Sequence, residues 1–503
     1  MAPGAALPDS EADPDLVEVS AVPADTRVLV IGGGPAGSMA ATLLAREGIE
    51  VTLAERERFP RYHIGESLVT SAIPMLDFVG VLPEVERHGF VKKYDGFFRV
   101  KRDEHPGHVD FRVRSKYAYS YQVDRAEFDE ILLRHAARCG AHVREQTTVT
   151  GVDFDGDRPV AATVRSANGG ASTISFDHLI DASGQSGLLS AQCLRNRRAE
   201  EAFANVAVGT YFRGAAPYRD RDGRPRPGAF FMEALTDGSG WAWAIPLRGD
   251  RLSVGIVMHR DVFTARRAES GSPEATFDAL LLAAPDITGL VRRAERIEKV
   301  RVWRDYSYFA DRYCGPGFRL AGDAAGFIDP LFSTGVHMAF LGALSAAATI
   351  CSEVNADLPA PVLERFHHRC LSKAYTRLIV TVAGFYRQLR DQRAIVLPGV
   401  TSENFQLAFD LIQPVVSGNV DLNATRIDGE VLDRAMRYTT DIALELHGLR
   451  LAQDIEPFER AHTGGRGGAD HFGTVEDLRI RMEHGKLGVS PNSAVALTPP
   501  SPR

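Results

Sequence analysis

Hydrophobic and polar positions follow three regimes along this 503-residue chain. The first is a strand–turn–helix–strand pattern over residues 27–56. An apolar run, Val28-Leu29-Val30-Ile31, reads as a parallel strand buried on both faces. Apolar residues at Ala40, Leu43 and Leu44 mark one helical face, and a second strand over residues 50–54 ends at Glu55. The second regime is period-two alternation. It covers residues 97–100 and 117–122, then 143–164 around Asp155-Gly156, then most of 204–257. Two helical patterns interrupt it: Leu68, Ile73, Leu76 and Phe78 mark one, and residues 126–139 the other, with Phe128, Ile131, Leu132 and His135 inward and Gly140 closing it. The third regime is helical. Residues 336–351 are nearly uncharged but diluted by Ala, Gly, Ser and Thr and interrupted by His337, which predicts a buried helix rather than a membrane span.

These patterns predict an α/β fold: a Rossmann-like βαβ domain, an inserted, mostly antiparallel sheet on the substrate side, and a C-terminal helical region. The expected division is a disordered tail over 1–26 and a nucleotide-binding domain over 27–200. That domain carries small inserted sheets at 97–122 and 143–180. The substrate-side sheet occupies 201–303, the chain returns to the first domain over 304–354, and a helical region over 355–485 precedes a Gly-, Pro- and Ser-rich disordered tail over 486–503.

The turn after the first strand carries chemistry. Gly32, Gly34 and Gly37 have the G-x-G-x-x-G spacing. Gly32 permits the tight turn, Gly34 lets a pyrophosphate approach the backbone, and Gly37 lets the helix close on the strand. The helix N-terminus offers free N–H groups to phosphate, and Glu55 stands where a carboxylate accepts hydrogen bonds from a ribose. Gly33, Ala36 and Arg56 line the same site. Farther along, Gly322-Asp323 ends a short strand before a long helix, so Asp323 can face the ribityl or pyrophosphate region. Arg125 opens the helix after the 121–123 strand, within reach of the diphosphate.

Composition narrows the classes. With 44% hydrophobic and 24% charged residues the chain is an ordinary globular protein. A net charge of −7 and the absence of a Lys/Arg stripe argue against nucleic acid. The five cysteines are scattered without a C-x-x-C pair, which suits reduced thiols in a cytoplasm. The first two dozen residues have neither a basic start nor an apolar core, so no signal peptide or anchor is expected there. Glu364 and His367 have the spacing of one di-iron ligand pair, but no second copy accompanies them. Gly464-Gly465-Arg466-Gly467-Gly468 lacks the strand and helix of a phosphate loop and reads as a flexible turn.

The order of the glycine turn, Arg125, Asp181-Ala182-Ser183-Gly184 and Gly322-Asp323 resembles the flavoprotein monooxygenases of the p-hydroxybenzoate hydroxylase type, over roughly residues 27–351. The resemblance implies FAD. Two further features resemble the flavin-dependent halogenases. Trp241-Ala242-Trp243-Ala244-Ile245-Pro246 fits their W-x-W-x-I-P signature, and alternation places both indoles on one strand face. In that family these bulky groups keep substrate off the flavin. Lys93, with Phe98 five positions on, fits the family's lysine; alternation turns one of Lys92 and Lys93 inward. An ammonium can hydrogen-bond hypohalous acid, and a desolvated amine can form a haloamine.

The resemblance also implies that the amides of Thr334 and Gly335 bind chloride or bromide beside the flavin, as an anion nest, with Val336 touching the ring and Pro330 nearby. A helix cap by Ser333 or Thr334 is the structural alternative. Tryptophan-type halogenases carry a Glu just before this Ser-Thr-Gly, where Phe332 stands here, which points to the phenol/pyrrole branch. Residues 61–68, including Ile64 and Ser67 at the cofactor, also look like that branch. The expected activity is therefore FADH2- and O2-dependent halogenation of an electron-rich, phenolic arene, free or tethered to an acyl- or peptidyl-carrier protein. A separate flavin reductase would supply the FADH2, and the enzyme would be a cytoplasmic monomer or homodimer that uses neither metal nor membrane. The rival readings are an aromatic hydroxylase or reductase of the same fold, and a non-catalytic FAD-binding scaffold.

Overall fold

The computed structural model describes residues 23–102, 105–114, 117–390, 413, 415–422, 474–475 and 478–491. Strand β1 (Asp25–Ile31) is its centre. It runs parallel to β2 (Val51–Ala54) on one side and to the strand Ala171–Asp181 on the other. Helix α1 (Pro35–Arg46) makes the crossover; Pro35 sits at its first turn, where a missing N–H goes unnoticed. A Cβ on Gly37 would lie 1.8 Å from the Gly32 carbonyl oxygen, so the helix can seat on the strand only with glycine there. The face of α1 rich in small residues packs on the helix Gly335–Val354, whose residues 336–352 are all buried. That burial gives the apolar stretch its role as the core helix of the domain, as its dilution with small residues predicts.

The second layer is a nine-stranded sheet. It contains Arg197–Arg213, Phe230–Ala234, Gly240–Leu247, Arg251–His259 and Arg301–Ala310, and it is antiparallel except where Phe230–Ala234 meets Asp95–Arg99 in parallel. Several expected boundaries change. Residues 97–122 do not form a separate small sheet: Asp95–Arg99 and Gly107–Asp110 extend the large one, and Ser120–Gln122 pairs with Val91–Lys93. The reason lies in Phe97 and Phe98, which point to opposite faces and are both buried, in different core clusters. A strand apolar on both faces needs cover on both.

The hairpin expected within 143–180 is likewise continuous with the nucleotide-binding sheet. The strand Ala171–Asp181 pairs antiparallel with Arg158–Ser166 along its first half and parallel with β1 along its second. The substrate-side sheet also claims residues 197–200 and 304–310, assigned above to the first domain. The pattern over 68–78 yields a helix only from Ala72 (Ala72–Phe78). Leu68 instead donates its N–H to the Tyr121 carbonyl, and Ser67 bridges to Gln122.

At the C-terminal end the long helix Ala360–Arg390 is present. The region is not wholly helical, however, and the expected tail is not wholly irregular. Thr474–Val475, Leu478–Arg481 and Gly488–Pro491 form a three-stranded sheet. Leu487 and Val489 are buried, and their N–H groups donate to Glu47 Oε2 and Ser352 Oγ. Two apolar residues with a surface to cover outweigh the loop-like composition around them. Asp25 and Thr26 belong to β1 rather than to the tail. Residues 1–22, 464–468 and 492–503 lie outside the described residues.

Candidate active site

The nucleotide end is built from main chain. Gly32 takes φ +100°, and a Cβ there would meet the Ala182 carbonyl oxygen at 2.4 Å. Gly34 caps α1 without help from any side chain, so the first-turn N–H groups face outward as an anion site. Glu55 is buried at the end of β2, with one oxygen taking the Gly33 N–H (2.5 Å) and the other the Glu57 N–H (2.7 Å). Arg56, by contrast, is exposed and paired with Glu57. Arg125 is buried and largely committed. Its guanidinium grips Asp129 through two bonds (2.7 and 2.9 Å) and donates to the carbonyls of Ile64 and Gly65 (2.8 and 3.2 Å), so it fixes the 64–67 segment. Asp323 sits in the field of Arg125 and Arg197, and burial pushes its carboxyl up to about 6. Asp181 is structural: it takes the N–H groups of Ser183 and Leu189 and ties the turn beneath Gly32.

The reaction end is built from side chains. Lys93 is 3% exposed, whereas Lys92 lies at the surface over the Tyr119 ring, so alternation turns the second of the pair inward. The Lys93 ammonium donates to Ser67 Oγ (2.9 Å) and to the Leu68 carbonyl (3.1 Å). It lies 5.3 Å from the Phe230 ring and 5.4 Å from Phe111. Burial lowers it to about 7, because no carboxylate compensates the lost hydration. Phe98 meets Phe230, Phe332 and Phe385 at centroid separations of 5.6, 6.1 and 6.2 Å. A continuous run of aromatic rings thus joins the lysine to the loop at 330–335.

That loop has the backbone of a nest. Ser333 is left-handed (φ +61°) and Thr334 right-handed (φ −88°), the paired geometry that converges successive N–H groups. The Ser333 N–H is spent on the Pro330 carbonyl, which leaves those of Thr334 and Gly335. Neither side-chain cap expected as the alternative forms at the following helix, and space is open around the Gly335 Cα. Val336 is buried one residue on.

The indoles of Trp241 and Trp243 stand 6.1 Å apart on one face of Gly240–Leu247. Trp243 lies flat on Gly255, where any Cβ would overlap its ring, and donates to Ser253 Oγ (3.2 Å). Trp241 donates to the Tyr386 hydroxyl (2.8 Å), and Tyr386 donates in turn to Asp329 Oδ2 (2.7 Å), which Asn205 also holds (2.6 Å). Burial raises Asp329 to about 6. The first tryptophan is therefore tied to the nest loop and to the helix Ala360–Arg390.

An FAD binding domain family matches residues 25–377. The chain is 42% identical over 421 residues to the sulochrin halogenase gedL of Aspergillus terreus, covering 80% of this chain and 76% of that protein. It is 42% identical over 445 residues to the flavin-dependent halogenase armH4 of Armillaria mellea, covering 84% and 83%. The chain belongs to the flavin-dependent halogenases. Among solved structures, the myxobacterial chondrochloren halogenase CndH superposes with a TM-score of 0.67 at 31% identity, over 79% of this chain and 90% of that one. The halogenase CmlS does so with 0.68 at 31%, over 84% and 78%.

The halogenase's own geometry fits FAD. The uncapped helix end, the glycines that exclude a Cβ and the buried Glu55 are the groups that would hold an adenosine diphosphate, with Asp323 and Arg125 farther in. Sequence reasoning missed Glu66, Tyr211, Asn205, Asp329 and Tyr386. Glu66 lies within the 61–68 segment, but nothing local says that its carboxyl is buried. Tyr386 lies more than 140 residues from Trp241, and no spacing rule links them. His367 of the di-iron spacing is buried between Ser345 and the Leu320 carbonyl, and burial lowers it to about 3. It serves as a core strut.

Proposed function

We propose that this halogenase installs chloride or bromide on an electron-rich, phenolic arene through hypohalous acid handed to Lys93. FADH2 from a separate reductase and dioxygen supply the oxidising equivalent. Thr334 and Gly335 hold the halide by their amides. Trp241 and Trp243 keep the arene off the flavin, so that only the small oxidant crosses. The aromatic surround of Phe98, Phe111 and Phe230 receives the substrate ring beside the Lys93 amine. The proposal is supported chiefly by Lys93 itself: a buried amine held near neutrality by desolvation, gripped by Ser67 and the Leu68 carbonyl, and walled by aromatic rings. Such a group is ammonium or amine at little cost, as either a hydrogen-bond or a haloamine role requires. Sulochrin, which one relative's name gives as its substrate, is the first arene to assay, free rather than carrier-bound.

The test is halide-dependent mass gain of the arene with reduced FAD supplied. Lys93→Ala should abolish it while FAD binding, read by flavin fluorescence, stays intact. Halogenation that survives in this variant would refute the lysine's role. Oxygen insertion in place of halogen would support the hydroxylase reading.

A further inference from the structure

One buried acid has no part in the scheme above. Glu66, beside Ser67, is 3% exposed. Its Oε1 accepts from the Tyr211 hydroxyl (2.6 Å), and that hydroxyl lies 3.3 Å from the hydroxyl of Tyr62. Tyr62 reaches the surface at 39% exposure, under the Arg301 guanidinium. A line of hydroxyls therefore runs from a residue that reaches the surface to the carboxyl. The other oxygen, Oε2, is buried with no hydrogen bond. The Ser253 hydroxyl lies close enough to the carboxyl to favour its charged form, and Ser253 Oγ also accepts the indole N–H of Trp243.

We propose that Glu66 carries protons from solvent, through Tyr62 and Tyr211, to the flavin side of the tryptophan wall, where hypohalous acid is made. The proposal rests on the halogenation reading above. Oxidation of the halide requires a proton: X⁻ + [O] + H⁺ → HOX. The halide gives two electrons in forming the X–O bond, and the oxygen donor, supplied by flavin and dioxygen, takes them as its own bond to that oxygen breaks. Glu66 releases the proton from Oε2. The Tyr211 O–H restores one at Oε1, Tyr62 restores Tyr211, and water restores Tyr62; rotation of the carboxyl and of the two hydroxyls then returns the proton to Oε2 and resets the relay.

The surroundings suit a group that must both give and take. Burial holds Glu66 up to about 7, with Asp124 pushing the same way and Tyr211, Ser253 and Arg251 opposing. Arg125 lies in the same field. Burial keeps Tyr62 up at about 12 and Tyr211 higher, so both remain neutral donors.

The test reads hypohalite made by the holoenzyme with a soluble trap in place of the arene, which leaves transfer at Lys93 out of the measurement. The wild-type rate should fall as pH rises through about 7. Glu66→Gln should lower it roughly a hundredfold and flatten the profile. Tyr211→Phe should slow it less and move the midpoint up, since the hydrogen bond lost favours the carboxylate. Infrared difference spectra of the cofactor-free protein should show a carboxylic-acid band that titrates near 7 and vanishes in Glu66→Gln. An unchanged rate profile in that variant, or a carboxyl titrating in the ordinary glutamate range, overturns the relay. Neither result touches the lysine assignment, which stands or falls on arene halogenation in Lys93→Ala.

Discussion

The nucleotide end and the reaction end of this halogenase are buried to similar degrees but built on opposite principles. At the nucleotide end a contiguous strand, turn and helix does the work, and the buried Glu55 and Asp129 are met by donors. Glu55 takes two backbone N–H groups, and Asp129 is matched by Arg125 and Arg61. At the reaction end, groups from at least five separate segments meet, and burial drives both Lys93 and Glu66 to about 7 from opposite sides. The first region contributes to stability through the contacts that bind ligand. The second holds its chemistry against stability, because each displaced group is one that would be better solvated. Substitutions should separate the two: loss of function with loss of stability at the glycine turn, and loss of function with a gain in stability at the desolvated Lys93 and Glu66.

The largest expected effect is at Lys93. Lys93→Met should lower arene halogenation on the order of 10³-fold, yet unfold at higher temperature. Its folded value lies below the usual 10.5, so the unfolded chain binds the extra proton between about pH 7 and 10.5. The wild type therefore gains stability as pH rises through that window. The variant's advantage, up to about 5 kcal/mol at pH 7 and below, should shrink to nothing by about pH 10.5. Denaturant titration at three pH values reads it, and a variant less stable at pH 7 would dissolve the contrast between the two ends.

Gly37→Ala probes the opposite end. Its Cβ would fall 1.8 Å from the Gly32 oxygen, so α1 must lift from β1. A loss of about 3 kcal/mol and weakened FAD binding are expected together, measured by thermal denaturation and flavin titration. Tyr386→Phe should cost less, about 1–3 kcal/mol, since it strips a donor from Asp329 and an acceptor from Trp241. A rise in peroxide released per halogenated product would show that the loosened indole no longer guards the flavin.

The smallest effect is on stability at Glu66. Its folded value is raised from 4.5 to about 7, so the folded state binds the extra proton between those values and wild-type stability falls as pH rises from 4.5 to 7. Glu66→Gln escapes that loss. The two proteins should match near pH 4.5 and differ by roughly 1–3 kcal/mol at pH 8 in the variant's favour. Equal stability at pH 8 would mean that the carboxyl is not desolvated.

Much of this was legible in the residues, and unevenly so. The glycine turn announced itself because its requirements are local: a tight turn, close approach and a packed helix all act within about ten residues. Alternation identified an inward lysine in the 92–93 pair and put both indoles on one face, since strand geometry leaves two choices. The 97–122 segment was misjudged because apolar residues at consecutive positions say that both faces are covered without saying by what. Residues 487–489 were hidden for a related reason: loop-like composition outvoted two apolar positions whose partners lie far upstream.

The sequence by itself determined the glycine turn, one inward lysine of the 92–93 pair and the shared face of the two tryptophans, because backbone geometry and side-chain period act over neighbouring residues. Only the tertiary structure decided which charges lose their water. Desolvation is summed over every segment that packs around a group, and at Lys93 and Glu66 those segments come from far along the chain. A lysine beside phenylalanines in the fold, and a glutamate buried against a tyrosine and a serine, exist only once the sheets have closed over them.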